Sequence, residues 1–494
     1  MACRWPTGTS ARSGRDGRAV AKGPPRHFLE PALTQPFPIP TPTDWRAEAE
    51  KALKGRALEG LVHLDADGLT IRPLYGRANA ADAVFAPRAV GADGRPWDLR
   101  TLVEGDDPEA VNAAVLTDLE GGAASVILAG AVLSDSEPLS RALNGVSMEL
   151  APVALHAGID GPDAANALAV AAKGSPRARL LFHMDPLTAF ATAGGSPRPI
   201  AAHVELAANT AARHAGAYPE ATFFLATGRA AHEAGGSAGQ ELGFAAAAAA
   251  TYVRAAVDAG LSVERALGGT VLGVSVDAEY FDSLARVRAL RLMWRSLSRA
   301  LGHETPAVIE ARSSRRMLAA TDPWPNLLRL TAAGFAGAVG GAEAVVLDGF
   351  SRARGRPDAF ARRQARNTQL VLMEEARLGR VADPAAGSWF LDHRTRDLAE
   401  VGWAEFQKIE REGGLIASLH GGAIQQRVAR SREALLKTYQ DGGVHLVGVT
   451  KFVDADVRPV SVEDAPPPSA PGDGDRCRLL TPVRWAETFE GEVA

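Results

Sequence analysis

Residues 270–301 read TVLGVSVDAEYFDSLARVRALRLMWRSLSRAL. The first seven form an apolar run without strict alternation, the pattern of a strand buried on both faces of a sheet. From 280 to 301 the period changes. Phe281, Leu284, Val287, Trp294, Leu297 and Leu301 fall on one stripe, which Arg286, Arg288, Arg295 and Arg299 largely avoid. A buried strand followed by an amphipathic helix is one βα unit.

The same unit recurs on both sides. Short apolar runs between helical stretches lie at 113–116, 125–128, 152–156, 179–183, 222–226, 270–276, 307–310 and 344–347. Eight alternations predict an α/β fold, a closed (β/α)8 barrel of the TIM type, over residues 76–435. Whether its interior is open depends on side-chain direction, and a filled interior would argue against a bound substrate.

Outside the barrel the composition changes. Residues 1–25 carry Arg4, Arg12, Arg15 and Arg18 against Asp16, transit-peptide-like without amphipathic spacing, and residues 1–35 read as a disordered or mis-started tail. Residues 36–75 read as an arm and helix for subunit contact. The proline-dense PALTQPFPIPTP at 31–42 is extended, then Thr43 caps a helix through Trp45, Ala49, Ala52 and Leu53 that Gly55 stops. Residues 436–494 read as a post-barrel linker and extension, with an apolar run at 445–449 and a Pro- and Asp-rich stretch at 454–475.

Charge and cysteine content remove several classes of function. With 54 basic and 58 acidic residues the net charge is -4, which provides no field to hold nucleic acid or an anionic membrane. Lysine occurs 7 times and arginine 47 times, so arginine clusters carry little weight. Cys3 and Cys477 sit near opposite ends and form no disulfide framework, which suits a reducing cytoplasm. The richest apolar stretch, 243–253, is mostly alanine and too weakly apolar for a membrane span.

Four segments resemble the methylmalonyl-CoA mutase family. ARNTQLVLMEE at 365–375, followed by VADPAAGSWFLDHRTRDLAEVGWAEFQKIEREGG at 381–414, is similar to the family's Arg-Asn-Thr-Gln helix and Asp-Pro-x-x-Gly-Ser turn. DPWPNLLRLTAAGFAGAVGG at 322–341 is similar to a late barrel helix. FPIPTPTDWRAEAEKALKG with DGLTIRPLY, within 37–75, is similar to the family's arm, and VLTDLEGGAASVILAG at 115–130 resembles its small subunits in particular. The resemblance runs from about residue 36 to 451, most of the chain.

That resemblance also implies what is missing. Catalytic chains of the family carry an Asp-x-His-x-x-Gly loop that presents an imidazole to the cobalt of adenosylcobalamin. None of the 11 histidines here has Asp two residues earlier; His393, directly after Asp392, fits a polar helix start better than a ligand. A cobalamin-binding domain is therefore not expected. Catalytic chains also place a Tyr-His pair at a strand end, where the His hydrogen-bonds the thioester carbonyl. In TGRAAHEAGG, from Thr227, Gly228 and Glu233 to Gly235 match that motif, but Arg229 and Ala230 replace the pair. His232 lies two positions late, a displacement of about 6–7 Å along a strand.

Other candidates have plainer alternatives. In EARSSRRMLAATDP at 310–323, Arg312, Ser313 and Ser314 stand where the family grips CoA with Arg-Thr-His-Ser, in a loop that looks shorter. Arg312, Arg315 and Arg316 suit a phosphate or carboxylate, or form a solvated loop. Gly235, Gly236, Ser237, Ala238 and Gly239 spell a nucleophile elbow, yet the strand it requires ends near Gly228. Asp118 and Glu120 are placed at a strand end, where acids could hold a metal or act as a base, or simply form a turn before Gly121 and Gly122.

The expectation is a non-catalytic small subunit in a heterodimeric, adenosylcobalamin-dependent mutase. No catalytic, cofactor or metal residue is assigned to this chain, and the large subunit is the partner that binds the cofactor. One rival reading is the acyl-CoA-binding chain of a split mutase, with cobalamin on a separate protein. Another is a stand-alone interaction protein derived from a mutase.

Overall fold

The computed structural model describes residues 40–76, 84, 86–88, 94–465 and 470–491. The chain divides into two compact units, residues 1–60 and 61–494. The expected tail at 1–35, and the arm as far as residue 39, lie outside the described residues.

In the first unit the helix Pro42–Leu53 forms, but Thr41 caps it in place of Thr43. Thr41 is extended, its hydroxyl accepts the Asp44 N–H at 3.2 Å, and the Asp44 carboxylate accepts the Thr41 N–H at 2.8 Å. Pro42 then occupies the first helical position, where its missing N–H costs nothing.

In the second unit eight parallel strands close into a barrel. They are β1 (Asp98–Glu104), β2 (Ser125–Ala129), β3 (Val153–Leu155), β4 (Leu180–Met184), β5 (Thr222–Thr227), β6 (Thr270–Val276), β7 (Ile309–Ser313) and β8 (Ala344–Val346). Neighbours follow chain order, and Ala344 of β8 pairs back to Asp98 of β1.

Seven expected strands are present within a few residues, and one is corrected. The run at 113–116 lies inside the helix Pro108–Glu120. Asp107 caps that helix by accepting the Ala110 N–H at 3.1 Å, and Val111 and Val115, one turn apart, are buried on its inner face. The true first strand, β1, alternates Asp98, Arg100 and Glu104 with Leu99 and Val103, so it reads as a surface pattern. Its polar side chains instead serve the barrel interior.

That interior is filled. Leu102, Ile127, Ala154, Leu181 and Val346 form an apolar layer. Toward the N-terminal ends of the strands, Arg100 donates to Glu310 and to Asp98, both at 2.6 Å, and to Ser125 at 2.8 Å. Arg100, Glu310 and Arg312 are all buried.

The stripe read on the helix Tyr280–Ala300 is corrected in part. Phe281 is 54% exposed, whereas Arg286 and Arg288 are buried. The helix is packed by Ala238–Asp258, Asn326–Val339 and Trp389–Arg411, so more than one face is covered. Each buried guanidinium meets carboxylates: Arg286 meets Glu241 at 3.1 Å, and Arg288 meets Asp392 at 2.9 Å and also Asp383.

After the helix Ala423–Gln440 the chain returns to the barrel. Val462–Glu463 pairs with Arg356–Pro357, Asp475–Arg476 pairs with Gly195–Ser196, and the Trp485 N–H donates to the Arg316 carbonyl at 2.9 Å. Among the described residues, no helix is long and apolar enough to cross a membrane.

Candidate functional site

Chemistry on this fold sits where the strands end at their C-terminal face. At the end of β5, Gly228 leads into the short helix Arg229–Glu233. A Cβ on Gly228 would lie 1.8 Å from the Glu241 carbonyl oxygen, so only glycine permits this approach to the helix Ala238–Asp258. Arg229 Nη1 donates to the Arg312 carbonyl at 2.9 Å and its Nη2 donates to Glu233 Oε1 at 3.1 Å. Burial lowers its pKa to about 10, which leaves it a cation at neutral pH. Ala230 is buried and presents only a methyl group. The two positions thus provide a tethered guanidinium and no imidazole.

His232 lies in a buried cluster. Its side chain is fully buried, with Nε2 at 2.9 Å from Ser314 Oγ and Nδ1 at 3.0 Å from Glu241 Oε2 and 3.1 Å from Arg286 Nη1. Burial and then Arg316 push its pKa down, while Glu241 opposes them. Burial would raise the Glu241 carboxyl, but His232 and Arg286 hold it well below the usual range. Asp277 joins the group 3.7 Å from His232 Nε2, with a pKa lowered to about 2: burial opposes the shift, and Arg286 and Arg316 overcome it. Both imidazole nitrogens are engaged, so this is a buried charge network joining β5, β6 and β7.

The arginine loop is not the solvated loop expected. Arg312 donates to Glu310 Oε1 at 3.1 Å, and the Ser313 hydroxyl accepts the Asp348 N–H at 2.8 Å. Arg315 Nε donates to Asp348 Oδ2 at 2.8 Å, and Arg316 donates to the Gly236 carbonyl at 3.0 Å and to Asp277 at 3.2 Å. Only Arg315 stays substantially open, at 44% side-chain exposure. Asp277 after β6, Glu310 within β7 and Asp348 after β8 hold the guanidiniums.

Ser237 caps the helix Ala238–Asp258. Its hydroxyl donates to Asp67 at 2.5 Å and accepts the Gln240 N–H at 3.3 Å, with no strand directly before it, so no nucleophile elbow forms. Asp118 and Glu120 end the helix Pro108–Glu120, which corrects their expected placement at a strand end. Asp118 is buried in an ion pair with Arg366 at 2.5 Å. Among the described residues no group of three His, Cys, Asp or Glu is arranged to hold a metal.

Two histidines at the barrel mouth escaped the sequence reading, although each closes an expected strand run. His183 in β4 has φ +46° and a fully buried side chain; neither ring nitrogen has a hydrogen-bond partner, and Glu310 lies 4.0 Å away. Burial lowers its pKa to about 4. His156, after β3, is exposed. His393 faces Asp397 at 3.3 Å on the helix Trp389–Arg411. His183 is thus enclosed, and His232 is engaged at both nitrogens.

The described geometry accords with what the chain is similar to. The sequence profile of the family described as methylmalonyl-CoA mutase matches residues 123–470. The methylmalonyl-CoA mutase small subunit of Streptomyces virginiae is 36% identical over 485 residues, covering 93% of this chain and 77% of that protein. The small subunit of Propionibacterium freudenreichii subsp. shermanii is 30% identical over 471 residues, 89% of this chain and 72% of that protein. The probable small subunit of Mycobacterium tuberculosis is 36% identical over 393 residues, 74% of this chain, and the chain spans only 62% of that protein. The chain therefore belongs to the methylmalonyl-CoA mutase family.

Proposed function

We propose that this chain is the non-catalytic small subunit of a heterodimeric, adenosylcobalamin-dependent methylmalonyl-CoA mutase in the cytoplasm. Interconversion of methylmalonyl-CoA and succinyl-CoA is carried out on the large subunit, which also holds the cofactor. The observation that carries this reading is the state of the barrel mouth. Arg229 is tied to the Arg312 carbonyl, Ala230 offers no donor, and His232 is locked in a buried network.

The filled interior supports the same reading, because a thioester substrate needs space that Leu102, Ile127, Ala154, Leu181 and Val346 occupy. What the chain contributes is surface. A permanent partner interface buries about 2,000 Å² or more and stabilises both chains without any catalytic residue on this one.

Equilibrium dialysis of adenosylcobalamin tests the assignment. The heterodimer is expected to bind one cofactor and this chain alone none. Stoichiometric binding by this chain alone would refute the assignment.

A further inference from the structure

Beyond the helix Ala423–Gln440 the chain makes a tight turn at 446–451. The Leu446 carbonyl accepts the Thr450 N–H at 2.8 Å, the Thr450 hydroxyl accepts the Leu446 N–H at 2.8 Å, and the Gly448 N–H donates to the Lys451 carbonyl at 2.8 Å. Arg329 Nη2 fastens the turn to the helix Asn326–Val339 by donating to the Val447 carbonyl at 2.7 Å. The turn is therefore a fixed mount for what stands at its two ends.

At one end is a hole. Leu446 and Val447 join Met317, Leu328 and Trp485 around a cavity of about 340 Å³. At the other end is a knob. Phe452, one residue past Lys451, is 80% exposed and has φ +54°, a left-handed conformation that bulky side chains rarely adopt. Val453, Val447 and Leu328 are exposed as well, so the apolar surface continues from knob to hole. Val447 and Lys451 form a β-bridge, which brings the cavity wall and the base of the knob together on one face. A cavity of about 150 Å³ accepts a benzene ring, so the hole has room for a phenyl group. Phe452 does not line the cavity beside it.

A two-fold axis through this face would satisfy knob and hole at once, because each copy then gives its knob to the other. The charges fit the same operation. Lys451 stands beside the knob and Glu279 on the rim of the hole; both are exposed, and among the described residues neither side chain is in an ion pair. We propose that this face joins two copies of the chain in an isologous dimer. Phe452 of each copy seats among Met317, Leu446 and Trp485 of the other, and each Lys451 faces the other copy's Glu279. An aromatic anchor in a desolvated pocket is the kind of contact that dominates interface affinity, and opposite charges at its rim fix the register. The proposal is independent of the mutase reading, since it requires neither cofactor nor substrate.

Analytical ultracentrifugation of the full-length chain across a wide concentration range tests it. A monomer–dimer equilibrium is expected. Phe452→Asp should weaken the dimer about a hundredfold or more, and Lys451→Glu and Glu279→Lys about tenfold each. Placing both charge reversals in one chain should recover the lost affinity, and mixing the two single variants should give a mixed dimer. This recovery keeps the test decisive even where Phe452→Asp unfolds the chain. A monomer at every concentration, or open-ended growth in place of a closed dimer, would overturn the proposal. So would a dimer indifferent to Phe452→Asp with a parental Tm, or a double reversal that recovers nothing. A chain that is monomeric alone and loses its large subunit on Phe452→Asp would assign the face to that subunit instead, and this also overturns the proposal.

Discussion

Arg229 Nη1 lies 2.9 Å from the carbonyl oxygen of Arg312, which fastens the turn after β5 to the end of β7. The Arg229 side chain is therefore a structural strut. Arg229→Ala should remove that bond and leave Glu233 short of a cation, at a cost of about 2–4 kcal/mol. Urea denaturation at pH 7 would show the lowered midpoint; an unchanged midpoint would mean the strut carries no load.

Gly228 has no room for a side chain. The Glu241 carbonyl would sit 1.8 Å from an added Cβ, and backbone cannot swing aside as a flexible side chain would. Gly228→Ala should destabilise the chain by about 3 kcal/mol or more, or prevent soluble expression. Normal yield and a parental Tm would contradict this packing.

Acid should attack the buried networks first. Asp277 and Glu310 each titrate at about 2, and Glu241 is also depressed. Their folded pKa values lie below the unfolded ones of about 4, so they add stability that is present above about pH 4 and lost as pH falls toward 2. Arg286→Met leaves Glu241 and Asp277 without their shared cation. It should cost about 3–5 kcal/mol at pH 7 and flatten the acid limb of the stability profile.

Asp185 has the opposite sign. It accepts the Tyr252 hydroxyl at 2.5 Å and the Thr188 N–H at 3.2 Å, yet burial raises its pKa to about 6. The folded state holds its proton more tightly than the unfolded state, so stability should decline as pH rises from about 4 to 6. Asp185→Asn should abolish that decline, as guanidinium titrations at pH 4, 5, 6 and 7 would show.

Sequence periodicity exposes a strand when its side chains are apolar and hides it when they are not. β6 was legible because TVLGVSV is apolar apart from Thr270 and Ser275, whereas β1 was masked by Asp98, Arg100 and Glu104, whose partners appear only in the fold: Arg100 pairs with Asp98 and Glu310, and Glu104 with Arg352. The same cause misplaced Arg286 and Arg288, which look like solvent-facing charges until Glu241, Asp383 and Asp392 meet them. Asp118 and Glu120 went astray with the false strand at 113–116. At the site, Arg229 and Ala230 could be singled out in the sequence, but their contacts could not. That Arg229 would grip β7, and that His232 would be locked by Ser314 and Glu241, depends on contacts about 80 and 10 residues away in the chain.

Mutase turnover of methylmalonyl-CoA with adenosylcobalamin measures the central claim most directly, with this chain alone, the large subunit alone and the two as a purified complex. The account predicts turnover by the complex, weaker or absent turnover by the large subunit alone, and none by this chain. Turnover by this chain when a separate cobalamin-carrying protein is supplied would contradict it.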